Sequence, residues 1–295
     1  MIRYPYDRAQ VANDIGKIDP RWMVKAASRT GKLIKAGAYN EKSAIWSTIK
    51  PVFMLLQHNK CAYCERLLEG PDHGTIDFDV EHYRPKNAVP VWPDPVRHDS
   101  FAYAFQTGAQ GAGYHWLAYE LENYAASCKI CNTIQKLNFF PIAGRRAEQP
   151  ATGASLEDAR RALADEQPYL CYPIGDADED PQALITFDAT TAIPVAEDEV
   201  RRRRGQVMID FFDLNGRDLL HLERARMISL VGTALLRRGN DFAHALPAAA
   251  QVAFGSASYP HASCIRAFVR QWSVDPTRAG TIHDACTDNA LAASE

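Results

Sequence analysis

Hydrophobic side chains recur every three or four residues in three stretches of the chain, 43–58, 217–238 and 261–272. That spacing is typical of a helix that buries one face. In the first stretch Pro51 is expected to kink the helix, because proline lacks the backbone N–H that a helix uses. The rest of residues 1–60 is also predicted to be mostly helical, and the tail after residue 280 is expected to be frayed.

A different pattern marks residues 74–82, where hydrophobic and acidic side chains alternate. Ile76, Phe78 and Val80 fall on one face, which is the period of a β-strand with one buried side. Three more elements are predicted: short strands within 169–199, a loop over 87–113, and a helix from Cys128 to about Lys136. The mixture predicts an α+β protein that is mainly helical.

The composition is that of an ordinary globular protein. Hydrophobic residues make up 46% of the chain and charged residues 23%, which excludes collagen, coiled coil and wholesale disorder. The chain has no apolar run long enough for a transmembrane helix, and its N-terminal sequence lacks the apolar stretch of a signal peptide. We therefore expect a protein without a membrane span, located in the cytoplasm.

Charge is distributed unevenly, although the formal net charge is only −3. Residues 1–60 contain 11 Lys or Arg and 4 Asp or Glu, whereas residues 151–199 contain 2 and 12. Two interpretations of the basic stretch remain open: solvated helix faces, or a surface that faces a polyanion. The run Arg201–Arg204 follows an acidic stretch and is interpreted as a self-neutralised segment, with a nucleic-acid contact as the alternative.

Four of the seven cysteines form two Cys-x-x-Cys pairs, Cys61 with Cys64 and Cys128 with Cys131. Two such pairs supply the four thiolates of a tetrahedral zinc site, and a closed four-sulfur shell has no open position for water. The spacing therefore predicts a structural zinc ion, with two unrelated, redox-active pairs as the alternative. The other three cysteines are interpreted as small buried residues: Cys171, Cys264 and Cys286.

A second group of candidate catalytic and metal-binding residues lies between these pairs and just after them: Glu81, His82, Asn123 and Asn132. A carboxylate binds a hard divalent cation through oxygen, and a histidine takes a proton from water near neutral pH. Zinc would bring the strand that carries Glu81 close to the helix that carries Asn132, so that both reach one ion. Taken singly these residues are weaker signals, since an Asn after a cysteine is often only a helix cap.

The run CAYCE…DVEHYRPK…ENYAASCKICNTIQKLNFFP, within residues 61–141, resembles the HNH endonucleases, also called ββα-metal or His-Me finger nucleases. It is similar to the variant that has a four-cysteine zinc site and Asn in place of the last His. The fuller spacing resembles the HNH nuclease subunit of Septu-type anti-phage systems, whose relatives accompany retrons. A looser likeness extends to about residue 240.

The resemblance implies a role for each residue of the group. His82 would be the general base that activates water, and Asn123 would hold His82 through a ring nitrogen. Glu81 and Asn132 would bind one catalytic Mg²⁺ or a similar divalent ion. Glu81 replaces the usual Asp, and Asn132 replaces His, so the preferred metal stays open.

Charged residues near the motif have two interpretations each. Asp77 and Asp79 share the strand face of Glu81, and either supports the metal ligands or belongs to a solvated face. Arg84, Lys86 and Lys136 would contact the nucleic-acid backbone, or they are ordinary surface charges.

The resemblance implies an α+β fold with a zinc-stapled ββα-metal (HNH) nuclease core and a helical C-terminal part. Four segments are expected: a helical basic N-terminal arm over 1–60, the HNH core with its four-cysteine zinc site over 61–141, a linker with short strands over 142–205, and a helical region over 206–295 as the candidate partner surface.

The implied function is hydrolysis of nucleic-acid phosphodiester bonds in anti-phage defence, with an ABC/SMC-like ATPase as partner. The chain lacks the Walker A run G-x-x-x-x-G-K-[ST], so any ATP dependence would come from another chain. DNA is the favoured substrate, and RNA, including tRNA, stays open. The alternatives are a non-catalytic zinc module that binds nucleic acid or a partner, and a thiol oxidoreductase.

Overall fold

The computed structural model of this protein describes residues 1–69, 78–151, 153–195 and 198–293. The chain forms two compact units: the first contains Met1–Tyr4, Lys60–Leu67 and Asp180–Glu295, and the second contains Pro5–Asn59 and Leu68–Glu179. Helices predominate over two small two-stranded sheets in the described residues, in agreement with the predicted α+β class. Each unit is built from separate stretches of the chain, whereas the four segments expected from the sequence are consecutive. The division into those four segments stays a prediction.

The second unit begins with the predicted helical N-terminal stretch. Its helices are α1 (Arg8–Ile18), α2 (Trp22–Ala36), a 3-10 turn (Trp46–Ile49), α3 (Lys50–Leu56) and α4 (Leu156–Ala164). Asp7 caps α1 by accepting hydrogen bonds from the backbone N–H groups of Ala9 and Gln10. Pro51 stands in the first turn of α3, directly after the 3-10 turn, where a helix needs no N–H partner.

The sheet of the second unit carries the predicted Glu-His pair. Strand β1 (Phe78–His82) runs antiparallel to β2 (Tyr124–Cys128), with Glu81 opposite Ala125. The strand predicted over 74–82 is confirmed from the first residue of β1, and its earlier residues lie outside the described part of the chain. Every residue of β2 is buried, as are Glu81 and its neighbours in β1. The sheet therefore holds polar side chains where little water reaches them.

A helix follows β2 almost directly, as predicted, but it is a π-helix, Ile130–Lys136. A π-helix has a wider turn than an α-helix, and such turns are rare and often found at functional sites. It ends at Leu137, whose φ of 46° lies in the left-handed region that a helix cannot continue through. β1, β2 and the π-helix therefore lie in that order along the chain.

The described residues of the first unit are mainly helical and include one hairpin. Its helices are α5 (Glu199–Phe211), α6 (Asp218–Leu236), α7 (Ala248–Phe254), α8 (Ala262–Val274) and α9 (Pro276–Ala292), and β3 (Ile185–Asp188) pairs antiparallel with β4 (Thr191–Pro194). The helical stretches predicted over 217–238 and 261–272 are confirmed as α6 and α8. Apolar side chains of α6, α8 and α9 form one core, with Ile228 and Trp272 fully buried in it.

The frayed tail expected after residue 280 is wrong, because α9 continues to Ala292. Asp275 caps this helix by accepting a hydrogen bond from the backbone N–H of Arg278, and Pro276 stands in its first turn. Ala279 and Cys286 anchor the helix in the core of the unit. No helix in the described ranges is long and apolar enough to cross a membrane.

Candidate catalytic pocket and metal sites

A pocket of about 340 Å³ in the second unit is lined by side chains from β1, the π-helix, the turn after β1 and the segment around Trp46. Four of the sequence-predicted site residues line it: Glu81, His82, Lys86 and Asn132. The pocket therefore collects a histidine, a carboxylate, a carboxamide and an ammonium group around one small volume.

His82 stands at the end of β1 with its side chain almost fully buried. Its Nε2 lies 3.0 Å from the backbone oxygen of Ala118. A carbonyl oxygen only accepts, so Nε2 carries the hydrogen, and Nδ1 of the neutral ring is left as the acceptor. The rings of Trp46 and Tyr124 meet the imidazole edge-on, at centroid distances of 4.6 and 5.1 Å. The ring orientation is thereby fixed from three sides.

Burial lowers the pKa of His82 well below 6.5, and the nearby ammonium groups of Lys86 and Lys136 act in the same direction. The imidazole is therefore neutral at neutral pH. A neutral ring with a free Nδ1 lone pair is the form in which histidine accepts a proton.

Asn123 occupies a different place from the one that the resemblance implied. Its Oδ1 accepts a hydrogen bond of 2.7 Å from the backbone N–H of Arg84, and its Nδ2 donates to the carbonyl oxygens of Arg84 and Leu117 at 3.0 and 3.2 Å. The His82 ring is hydrogen-bonded to the carbonyl oxygen of Ala118, and not to Asn123 as expected. Asn123 thus holds the backbone that follows the histidine instead of its ring.

Glu81 and Lys136 form a buried ion pair, with 2.6 Å between Oε1 and Nζ. Burial raises the pKa of Glu81, and the Lys136 ammonium opposes that rise. Lys136 Nζ also donates to the backbone oxygen of His82 at 3.0 Å. Because its side chain is wholly buried, Lys136 does not present the surface charge expected for a nucleic-acid contact.

Asn132 lies in the first turn of the π-helix, and its Nδ2 donates to Asp79 Oδ2 at 3.0 Å. Asp79 and Glu81 alternate along β1 and therefore share one face of the strand. Carboxylate and carboxamide oxygens are donors that hard divalent cations prefer. Glu81 and Asn132 therefore bring one group of each of these kinds to the same pocket.

Lys86 and Arg84 follow His82 closely in the chain, and their charged groups have different partners. Lys86 lines the pocket, with its ammonium 4.9 Å from the ring centroid of Trp46 and 5.2 Å from that of Tyr39. Arg84 instead donates from Nε to the buried carboxylate of Glu166 at 2.8 Å. Lys86 is therefore placed for a ligand in the pocket, and Arg84 is committed to the protein.

Sequence reasoning missed the contribution of the N-terminal segment to this pocket. Trp46, Ser47 and Lys50 line it together with β1, and Lys50 Nζ donates to the backbone oxygen of Phe78 at 2.6 Å. In the sequence, Trp46 has only the pattern of a core residue in a helix. Nothing local to residues 46–50 indicates which strand they would meet.

The four predicted zinc ligands lie together. The Sγ atoms of Cys61, Cys64, Cys128 and Cys131 are within 4.8 Å of one another, and all four residues are buried. The backbone N–H of Cys131 points at Cys128 Sγ, 3.4 Å away. Four clustered sulfurs are the donor set of a structural zinc site, so the predicted four-cysteine site is present.

The remaining cysteines are buried, as predicted. Burial raises the pKa of Cys264 to about 12 and that of Cys286 to about 11, so both stay protonated thiols at neutral pH. Part of the arginine run at the start of α5 is paired locally. Arg201 pairs with Asp198, and Arg203 pairs with Glu199, which agrees with a self-neutralised segment.

Comparison with known proteins gives one related sequence to report. The chain is 28% identical over 193 residues to the Septu protein PtuB of Bacillus mycoides (strain KBAB4), a match that covers 64% of this chain and 52% of that protein. The chain therefore spans about half the length of the curated relative it matches. No protein-family model matches the sequence, and no solved structure matches it. The similarity supports a relationship to Septu-type defence proteins.

Proposed function

We propose that this protein is a metal-dependent HNH endonuclease that hydrolyses phosphodiester bonds of nucleic acid. The observation that carries the proposal is the meeting of Glu81, His82 and Asn132 in one pocket. A neutral base and oxygen donors for a hard cation are the groups that this hydrolysis needs. The ammonium of Lys86 in the same pocket suits a phosphate oxygen.

His82 is the general base of the proposed reaction. Its Nε2–H donates to the Ala118 oxygen, which fixes the tautomer and leaves the Nδ1 lone pair for the proton of the attacking water. The edge contacts of Trp46 and Tyr124 keep the ring from turning. The bonds of Asn123 to the backbone of Arg84 support the same end of the strand.

Glu81 and Asn132 would hold the catalytic Mg²⁺, or a similar ion, through a carboxylate oxygen and the carboxamide oxygen. An ion held by these two residues would polarise the scissile phosphate and stabilise the leaving 3′ oxygen. Lys136 favours the charged form of Glu81 inside a buried environment that would otherwise protonate it. Lys86 neutralises a phosphate oxygen, and the rings of Tyr39 and Trp46 limit where its ammonium group can move.

The biological role that we propose is that of an effector in a Septu-type anti-phage system. The similarity to the Septu protein PtuB supports this role, and the HNH resemblance adds an ABC/SMC-like ATPase as the partner that controls the nuclease. We propose that it acts in the cytoplasm, with DNA as the favoured substrate and RNA, including tRNA, as the second one to test.

The experiment that tests the proposal is a cleavage assay on zinc-loaded protein, alone and with an ABC/SMC-like ATPase partner. Plasmid DNA and total tRNA are each incubated with Mg²⁺, with EDTA, and with Mg²⁺ restored after EDTA. We expect one substrate to be cut with Mg²⁺, spared with EDTA and cut again on restoration, and Glu81→Gln to cut more slowly. Intact substrates in every arm, with partner present and zinc retained, would favour the non-catalytic zinc module.

A further inference from the structure

We infer that Asp79 is a positioning residue that turns the oxygen end of the Asn132 carboxamide toward the catalytic cation. The inference rests on the proposed function, because Asp79 can position a metal ligand only if Asn132 binds a cation. It concerns a residue for which the sequence left two interpretations open, a support of the metal ligands or a solvated strand face.

The direction of the Asn132 side chain follows from what Asp79 is able to do. A carboxylate only accepts hydrogen bonds, so the group 3.0 Å from Asp79 Oδ2 is the NH₂ end of the carboxamide. The carboxamide oxygen is then on the other branch of the side chain. Asn132 itself lines the pocket that also contains Glu81. Within the described part of the chain no side-chain or backbone donor is bonded to Asn132 Oδ1, so this oxygen remains available to a cation.

Asp79 is itself held in place by Lys129, the residue directly before the π-helix. Lys129 Nζ lies 3.2 Å from Asp79 Oδ1 and 3.4 Å from Oδ2. The Lys129 ammonium offsets the negative charge of Asp79, which shares a strand face with Glu81. Asp79 therefore joins β1 to Lys129, Asn132 and Thr133, whose Oγ1 lies 3.5 Å from Asp79 Oδ2, which is the geometry of a support for a ligand.

The support matters because a carboxamide has two ends of nearly the same shape and opposite polarity. Rotated by half a turn, Asn132 would present an NH₂ group to the cation and repel it. The partners that orient metal ligands typically change metal affinity 10–100-fold when they are removed. Asp79 thus acts through Asn132, and its own charge is not what binds the metal.

The test measures the affinity of zinc-loaded protein for Mn²⁺, a paramagnetic substitute for Mg²⁺, by titration followed by electron paramagnetic resonance. We expect Asp79→Ala to weaken Mn²⁺ binding about 10–100-fold. Asp79→Asn keeps an oxygen acceptor for Asn132 Nδ2 and should stay close to wild type. In an Asn132→Ala background, Asp79→Ala should cause no further loss, because its effect runs through Asn132. Asp14→Ala, which removes a carboxylate paired with an exposed lysine outside the pocket, is the matched control and should change the affinity little.

Three results would overturn the inference. Equal losses in Asp79→Asn and Asp79→Ala would mean that the charge of Asp79 acts directly, and so would an additional loss in the Asn132→Ala background. Unchanged binding in Asp79→Ala would mean that it orients nothing. Should Asp79→Ala unfold, Asp79→Leu removes the same acceptor with closer shape. Absence of Mn²⁺ binding in the wild type would instead contradict the proposed function, so the two failures are distinguishable.

Discussion

Lys136 Nζ lies 2.6 Å from Glu81 Oε1, and neither side chain is more than 4% exposed. The same ammonium donates to the backbone oxygen of His82. One lysine from the π-helix therefore contacts both residues of the Glu-His pair, one through its side chain and the other through its backbone. Removing either partner of a buried ion pair leaves an uncompensated charge, which is far more costly than losing the same pair at the surface.

Lys136→Met should therefore destabilise the protein by about 3–5 kcal/mol, because the Glu81 carboxylate would remain buried without its partner. The double variant Lys136→Met with Glu81→Leu should recover a large part of that loss. Lys129→Met is the matched control, since Lys129 pairs with Asp79 at an exposed position. Urea denaturation of the variants measures the difference. Equal stability of the Lys136 and Lys129 variants would show that the buried pair has no special cost.

Lys86 and Arg84 were both expected to contact nucleic acid, and the structure separates them. Lys86→Gln should weaken nucleic-acid binding and reduce the salt dependence of the affinity by about one counterion. Arg84→Gln should leave that slope unchanged and lower stability instead by about 1–3 kcal/mol, because Glu166 loses its guanidinium partner. Fluorescence anisotropy at several salt concentrations, in a His82→Ala background that prevents cleavage, measures the slopes. A reduced slope for Arg84→Gln alone would reverse these assignments.

Zinc should be lost when one member of the cysteine cluster is removed. Cys61→Ser is expected to lower the bound zinc and to decrease thermal stability, because a closed four-thiolate shell contributes directly to folding. Cys171→Ser is the control, since Cys171 is also buried but lies outside the cluster. Metal analysis of both purified variants, together with their melting curves, measures the effect. Full zinc content in Cys61→Ser would argue against a four-sulfur site.

The cleavage rate should depend on pH in a way set by His82. Because burial lowers the pKa of this imidazole below 6.5, the base form predominates at pH 6.5 and above, and the rate is lost only as the pH falls through the folded-state pKa. Folding stability also decreases as the pH falls below 6.5. In that range His82 binds a proton more readily in the unfolded chain than in the folded protein. Single-turnover rates, measured from pH 8 down to the lowest pH at which the protein stays folded, show where the rate is lost. A loss of rate centred at or above pH 6.5 would contradict the buried, neutral base.

Much of the site could be predicted from the sequence because its residues form short motifs with fixed spacing. Two Cys-x-x-Cys pairs indicate a metal cluster wherever they lie in the fold. A Glu-His pair at the end of an alternating stretch points to a strand that ends at the site. The resemblance to HNH nucleases then supplied Asn132. These residues depend on local pattern, and the pocket does contain Glu81, His82 and Asn132.

What the sequence missed depends on contacts between distant segments. The carbonyl of Ala118 that orients His82 is a backbone group, so its residue type carries no signal. Trp46 meets His82 from a segment 36 positions away along the chain. Lys136 was expected at the surface because lysines are seldom buried, but a carboxylate partner offsets its burial. The π-turn also changes which residues of this helix face β1, and a pattern search at α-helical period does not detect that change.

The central claim is that His82 is the base of a nuclease, and the most direct measurement compares His82→Ala with His244→Ala. His244 is a largely exposed histidine of the first unit and serves as the control for histidine removal. Single-turnover cleavage of the preferred nucleic acid is followed with Mg²⁺, after zinc content is shown to be equal in both variants. We expect His82→Ala to lose about 10²–10⁴-fold in rate and His244→Ala to match the wild type. A His82→Ala protein that cuts at the wild-type rate would contradict the account.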